Sequence, residues 1–311
     1  MPVDTRQTIA DFIRWGASRF DEAGLVFAHG TDNALDEAAA LVLHALELPP
    51  VLSTYRYQAR LTADEKRRVL DLLEQRLVER KPSAYLTGRT WFAGHEIFVD
   101  ERVLIPRSPI AELVEVRFAP WIETGQVRTI LDLCTGSGCI AIACAHAFPD
   151  AAVDATDRSP EALEVAGRNV EAHGLAERVR LVESDLFEEL RGRRYDLIVC
   201  NPPYVALEEL EDLPAEYRHE PRMGLAAGAD GLACIRRILG EAGRHLRAHG
   251  VLVLEAGSAA EAVSRAWPRL PFTWLEFRRG GSGVLLLTAS ELASAARGLD
   301  RQGQAPPRAR A

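Results

Sequence analysis

The chain has no apolar run of about 18 residues, the length a membrane-crossing helix needs. Its opening, Met-Pro-Val-Asp-Thr-Arg, lacks the apolar core of a secretory signal, so the expected compartment is the cytoplasm. Cysteine is sparse and unpaired in pattern. The five stand at 134, 139, 144, 200 and 234, an odd and scattered set that reads as reduced thiols rather than a disulfide frame. Cys139 and Cys144 lie in an apolar helical stretch and are expected to pack as small hydrophobes. The eight histidines show no metal-ligand spacing, so no metal site and no catalytic histidine are expected. Positive charge is also short: 37 Lys and Arg face 45 Asp and Glu, a net charge of -8. A surface of that sign does not attract a phosphate backbone over its whole area and suits a basic protein partner better. There is no internal repeat. What remains is a 311-residue chain with 47% hydrophobic and 26% charged residues, the composition of a globular protein with room for two domains.

The first 88 residues read as helices. Ile9, Phe12, Ile13 and Phe20 recur at helical spacing, and 36–48 is rich in Ala and Leu. A third helix opens on Thr62-Ala-Asp-Glu65, a capping-box pattern, and continues through Val69, Leu70, Leu73, Leu77 and Val78. This region is expected to be a small helical domain that recognises a substrate. Residues 89–108 read as a connecting hairpin, with strands at 92–100 and 102–105 and Asp100-Glu101 at the turn.

Residues 109–293 alternate strand and helix. Apolar strands fall at 129–133, 153–156, 179–182, 197–200 and 251–255, separated by helical stretches at 138–147, 160–173, 230–248 and 258–266. That alternation implies an α/β fold with a doubly wound parallel sheet. The segments 273–277 and 283–288, joined by Arg279-Gly-Gly-Ser282, read as a final hairpin whose last strand runs antiparallel. The tail, 294–311, carries no apolar pattern and is expected to be disordered.

Three acidic residues follow three successive strands. Asp132 opens Asp132-Leu-Cys-Thr-Gly-Ser-Gly138, where the glycines let the backbone approach a ligand closely. Pyrophosphate would not favour a carboxylate there, whereas an ammonium group would. Asp157 ends the second strand, where a carboxylate accepts from ribose hydroxyls. Asp185, in Ser184-Asp-Leu-Phe187, can accept from an adenine amino group. A cationic, phosphate-free nucleoside matches this set, and S-adenosylmethionine is such a ligand. The candidate cofactor-binding residues are Asp132, Thr135, Gly136, Gly138, Asp157, Asp185, Leu186 and Asn201.

The fourth strand runs into Asn201-Pro-Pro-Tyr204. Successive prolines lack N–H groups and hold the chain extended, so the segment is stiff and aims its carbonyls and side chains in fixed directions. An amide nitrogen is a poor nucleophile because its lone pair is delocalised. Acceptors on both its N–H bonds, the Asn201 side-chain oxygen and the Pro202 carbonyl, favour a pyramidal nitrogen with a free lone pair. Tyr204 can stack on the flat amide. Asn201, Pro202 and Tyr204 are therefore the candidate catalytic residues, and Asn201, Pro202, Pro203 and Tyr204 the candidate substrate contacts. An exocyclic adenine amine needs the same acceptors, so the tetrapeptide alone leaves an adenine-N6 methyltransferase open. A nicotinamide-dependent oxidoreductase would use the glycine loop but not the tetrapeptide, and a non-catalytic ribosome assembly factor could keep the fold.

These stretches, Asp132-Leu-Cys-Thr-Gly-Ser-Gly-Cys-Ile140, Asn201-Pro-Pro-Tyr-Val205 and Glu220-Pro-Arg-Met-Gly-Leu-Ala-Ala-Gly-Ala-Asp-Gly-Leu232, resemble those of the glutamine-N5 protein methyltransferase family, which modifies release factors and ribosomal proteins. The resemblance covers residues 5–293. Cys134 departs from it, standing where a glycine is usual. Pro106-Arg-Ser-Pro-Ile110, Glu255-Ala-Gly-Ser258 and His29-Gly-Thr-Asp-Asn33 resemble the branch acting on large-subunit ribosomal protein three more than the release-factor branch. The resemblance implies that this ribosomal protein, or the assembling large subunit, is the partner. It also implies that Arg107, as a substrate contact, and Ser108 lie near cofactor and substrate. No sequence-specific nucleic-acid binding is expected.

Overall fold

The computed structural model describes residues 6–294, so the expected tail, 294–311, lies outside the described residues from its second position on. By contact, the chain divides into two compact units. Among the described residues, the first comprises 6–91, 96–107 and 213–221, and the second 92–95, 108–212 and 222–294. The hairpin expected as a linker is thus shared between the units, and a short segment from far down the chain joins the first.

The first unit holds helices α1 (Ile9–Glu22), α2 (Ala34–Ala45), α3 (Ala63–Glu79) and α4 (Ser83–Thr87). Thr8 and Thr62 close capping boxes with Asp11 and Glu65, which satisfies orphan N–H groups and starts α1 and α3 where they do. Phe12, Phe20, Leu41 and Leu73 are buried between the helices, while Val78 lies on the exposed side of α3. Residues 213–221 add two buried carboxylates to this unit. Glu216 accepts from Val26 N at 3.1 Å and pairs with Arg80 at 3.0 Å and Arg76 at 3.5 Å. Glu220 takes Arg107 in a fork of 2.5 and 2.8 Å and Ile105 N at 3.0 Å, with His29 at 3.7 Å. Burial works to raise the Glu220 carboxyl, but the Arg107 guanidinium and the nearby His29 ring outweigh it and hold it below the usual carboxylate range.

The hairpin differs from expectation. Its strands are β1 (Arg89–Phe92) and β2 (His95–Phe98), and Ala93 and Gly94 form the turn at φ of 47° and 81°. Two successive left-handed residues make a tight two-residue turn whose twist matches the strands. Asp100 also turns the chain, accepting from Arg102 N at 3.1 Å, but the 102–105 stretch pairs with no strand. A side-chain-closed turn needs no ladder on either side.

In the second unit α5 (Ile110–Glu115) leads into β3 (Thr129–Leu133), α6 (Cys139–Ala147), β4 (Ala152–Asp157), α7 (Pro160–Ala172), β5 (Val179–Glu183) and β6 (Tyr195–Cys200). Two short helical turns follow, α8 (Glu209–Asp212) and α9 (Arg222–Leu225). Then come α10 (Ala233–His245), β7 (Leu246–Glu255), α11 (Ala260–Ala266), β8 (Thr273–Leu275) and β9 (Val284–Thr288). The seven-stranded sheet has the order β5-β4-β3-β6-β7-β9-β8, parallel from β5 to β7, with β9 antiparallel to both its neighbours. This is the doubly wound sheet with an antiparallel last strand, and its order reverses between β3 and β6. The strand read at 251–255 begins five residues earlier than expected, because Leu246 pairs with Tyr195 and the register then shifts before Leu197. The helix read at 230–248 therefore stops at His245. Gly250 permits that irregularity: a Cβ there would meet the Tyr195 carbonyl oxygen at 2.8 Å. No helix among the described residues is long and apolar enough to cross a membrane.

Candidate active site

Leu133, the last residue of β3, is in register with Cys200, the last residue of β6. The glycine loop and the Asn-Pro-Pro-Tyr segment therefore leave the sheet side by side, about 5 Å apart at their origins. In a doubly wound sheet this point, where strand order reverses, is where ligands bind.

The loop is built around two carboxylates. Asp132 is fully buried, and its Oδ2 accepts from the Thr135 hydroxyl at 2.5 Å and from Ala141 N at 3.0 Å. Its Oδ1 is buried without a hydrogen-bond partner among the described residues. Burial, opposed by those two donors and reinforced by the charge of Asp157, pushes the Asp132 carboxyl up to about 7. Asp157 Oδ2 accepts from Gly136 N at 2.9 Å and its Oδ1 from Ser159 N at 3.0 Å. Burial raises its carboxyl too, against those donors. Gly136 (φ 54°) turns the loop with open space where a Cβ would stand, and Gly138 (φ 82°) brings Ala166 Cβ within 3.3 Å of such an atom, so α6 and α7 pack closely. Cys134 sits at φ 59°, a conformation that favours glycine and costs other residues about 1–2 kcal/mol. That accounts for the glycine usual at this position. Burial pushes the Cys139 thiol up to about 12 and raises Cys144 and Cys200 as well, which keeps them neutral and consistent with apolar packing. All five cysteines are free.

Two further expected cofactor contacts, Asp185 and Leu186, lie in the turn after β5. Leu186 is buried at φ 55°. The Asp185 carboxylate is half-exposed and paired with Arg237 of α10 at 2.8 Å, an engagement that adenine would have to share.

Asn201 is half-buried and Pro202 buried. The exit from the tetrapeptide is pinned: Val205 N donates to Leu225 O and Ala227 N to Val205 O, both at 2.9 Å. The Tyr204 hydroxyl donates to Glu255 Oε1 at 3.3 Å, and the other oxygen of the buried Glu255 accepts from the Ser108 hydroxyl at 2.5 Å. Gly257 completes the seat, since a Cβ there would stand 2.3 and 2.4 Å from two Tyr204 ring atoms and 2.8 Å from its hydroxyl. Glu255 and Gly257 were legible only as branch markers, and their bond to Tyr204 across about fifty residues leaves no spacing signal. Arg107 belongs to the first unit, where Glu220 and Tyr217 hold its guanidinium.

Comparison with known proteins follows the same division. The Methyltransferase small domain profile matches residues 118–215. The PrmC N-terminal domain profile matches 11–88. The ribosomal protein uL3 glutamine methyltransferase of Neisseria meningitidis is 53% identical over 286 residues, 92% of this chain and 94% of that one. Proteins of the same name from Bordetella pertussis (50% identical, 92% and 96% covered) and Xylella fastidiosa (52%, 93% and 92%) are similar over nearly their full lengths. The chain belongs to the family of ribosomal protein uL3 glutamine methyltransferases.

Proposed function

We propose that this chain transfers a methyl group from S-adenosylmethionine to the side-chain amide nitrogen (N5) of a glutamine in ribosomal protein uL3, in the cytoplasm. One observation carries the proposal: the register of Leu133 with Cys200 sets the glycine loop beside Asn201-Pro-Pro-Tyr204. The loop fits the cofactor's chemistry. Asp132 keeps a buried oxygen with no donor, which an ammonium group would satisfy. The Asp157 carboxylate accepts from Gly136 N and Ser159 N and has lone-pair capacity left for a ribose hydroxyl. Bound there, S-adenosylmethionine supplies an electrophilic methyl group.

The chain's own residues present the nucleophile. The Asn201 side-chain oxygen and the Pro202 carbonyl accept the two amide N–H bonds and so draw the nitrogen out of conjugation. Tyr204, fixed by Glu255 and by the missing Cβ of Gly257, forms the flat face on which the amide lies. Because these groups are held before substrate arrives, their dipoles need no reorganisation during transfer. The alkylated nitrogen is strongly acidic and releases its proton along either acceptor, so no dedicated base is required. Residues 1–88 serve as the region that recognises the protein substrate, with Arg107 a substrate contact only if it leaves Glu220.

The test is to incubate the enzyme and labelled S-adenosylmethionine with separately purified uL3, release factors and an adenine-containing DNA duplex, then map the label by mass spectrometry. Label on a uL3 glutamine is the expected result. Label on a release factor or on adenine would replace this reading with one of its rivals.

A further inference from the structure

The histidines looked unclustered in sequence, but the fold gathers three of them. His95, His146 and His173 each present a ring nitrogen, and all three nitrogens lie within 4.8 Å of one another. All three belong to the second unit. His95 is the first residue of β2 after the Ala93-Gly94 turn, His146 lies in the last turn of α6, and His173 caps α7. Their placement follows from topology. α6 follows β3 and α7 follows β4, two parallel strands, so both helices run back and end at the same edge of the sheet. That edge is opposite the one carrying the glycine loop, so the cluster is separate from the active site.

We propose that His95, His146 and His173 form a binding site for a divalent transition ion of the zinc type, with water in the fourth position. The donor set suits it, since imidazole nitrogens select zinc, copper, nickel or cobalt over calcium or magnesium. The spacing is close to what is needed. Zinc–nitrogen bonds of about 2.0–2.1 Å put tetrahedral ligands about 3.4 Å apart. The rings of His95 and His146 are stacked at 4.4 Å between centroids, and parallel rings do not aim at a common point. One must rotate, and His146, the exposed member, has the freedom to do so. Two helix C-termini converge here, and their dipoles favour a cation. Arg178 faces His146 with an opposing charge, but its Nη1 is turned onto the carbonyl oxygens of Ala145 and Phe148 at 2.8 and 3.3 Å.

The full chain is titrated with zinc chloride by calorimetry in a non-chelating buffer. One equivalent is expected to bind in the micromolar range. His95→Ala, His146→Ala and His173→Ala should each weaken that step by at least about tenfold, the scale on which even supporting residues of metal sites act. His146→Ala should keep its S-adenosylmethionine affinity, which separates loss of the site from loss of the fold. Cobalt substituted for zinc should give ligand-field bands with no thiolate charge-transfer band, so the free cysteines are not the ligands. Absence of a micromolar step, unchanged binding in His146→Ala, or a thiolate band in the wild-type spectrum would each overturn the proposal.

Discussion

Replacing Asp132 with asparagine should stabilise the cofactor-free protein above neutral pH and weaken cofactor binding. Asp132 is fully buried, and its carboxyl is moved from an ordinary 3.8 to about 7. A folded-state value raised above the unfolded one means that stability is fully present below the unfolded value and is lost as pH rises through the folded one. The ionised side chain therefore costs about 4 kcal/mol at pH 8 and under 2 kcal/mol at pH 5. Asparagine removes this term at every pH. Its carbonyl can still accept from Thr135 and Ala141, but its NH2 would occupy the place of the unpartnered Oδ1 and lose about 1–3 kcal/mol of hydration. The variant should thus gain about 1–3 kcal/mol over wild type at pH 8 and nothing at pH 5. Urea unfolding of both proteins across this range gives the difference directly, and titrating groups that do not interact with Asp132 cancel in it. S-adenosylmethionine should meanwhile bind about 10–100-fold more weakly, the loss of one charged hydrogen-bond partner. A stability difference that stays constant between pH 5 and pH 8 would refute the assignment of a desolvated, ionisable Asp132.

Asn201→Ala removes one amide acceptor and should slow methyl transfer by roughly 10²–10⁴-fold with little change in cofactor affinity, as measured by single-turnover kinetics. Asp157→Ala should weaken S-adenosylmethionine binding by about 1–3 kcal/mol in calorimetry, and an unchanged dissociation constant would remove it from the cofactor site. Gly257→Ala should displace the Tyr204 ring and lower turnover by about 10²-fold, while normal turnover would show that the ring has room to move. Glu220→Gln leaves Arg107 without its counter-charge and should destabilise the protein by about 3 kcal/mol at neutral pH. Because the Glu220 carboxyl is held low, that stabilisation is present at neutral pH and lost as acid protonates it. The urea midpoints of variant and wild type should therefore converge in acid.

Local chemistry made the central sheet legible. β3 and β6 are mostly apolar runs, each interrupted by one aspartate, that end in glycine and proline punctuation, and those signals lie within a few residues of what they control. The hairpin and the start of β7 were misplaced because two neighbouring turn signals competed in the first, and because pairing between Leu246 and Tyr195 overrode a helical pattern in the second. The candidate site divides in the same way. The candidates Asp132, Asp157 and Asn201 stand out in sequence because each lies at or beside the end of a strand. The bonds from Glu255 to Ser108 and Tyr204, from Glu220 to Arg107, and the meeting of His95, His146 and His173 join residues far apart in sequence, and no periodicity encodes them.

Burial alone does not separate the candidate binding carboxylates from structural ones. Asp132, Asp154, Asp157 and Asp196 all belong to β3, β4 or β6, and desolvation is the largest influence on each, always acting to raise the carboxyl. The outcomes nevertheless divide by position. Asp154 is held low by Arg180 and Arg193, both at 2.8 Å, and by the Tyr195 hydroxyl at 2.6 Å. Asp196 is held low by the N–H groups of Arg128 and Thr129 and the Thr129 hydroxyl, all at 2.9 Å, and by His249. Asp132 and Asp157, at the ends where β3 and β4 meet the glycine loop, stay high because their donors do not offset burial. Of these four sheet carboxylates, two are fully satisfied by their donors, whereas Asp132 keeps one buried oxygen bare beside the glycine loop. A buried acceptor left bare costs stability in the free protein, and a cationic ligand recovers that energy on binding. The bare Asp132 oxygen therefore supports the proposed cationic ligand without appeal to any motif.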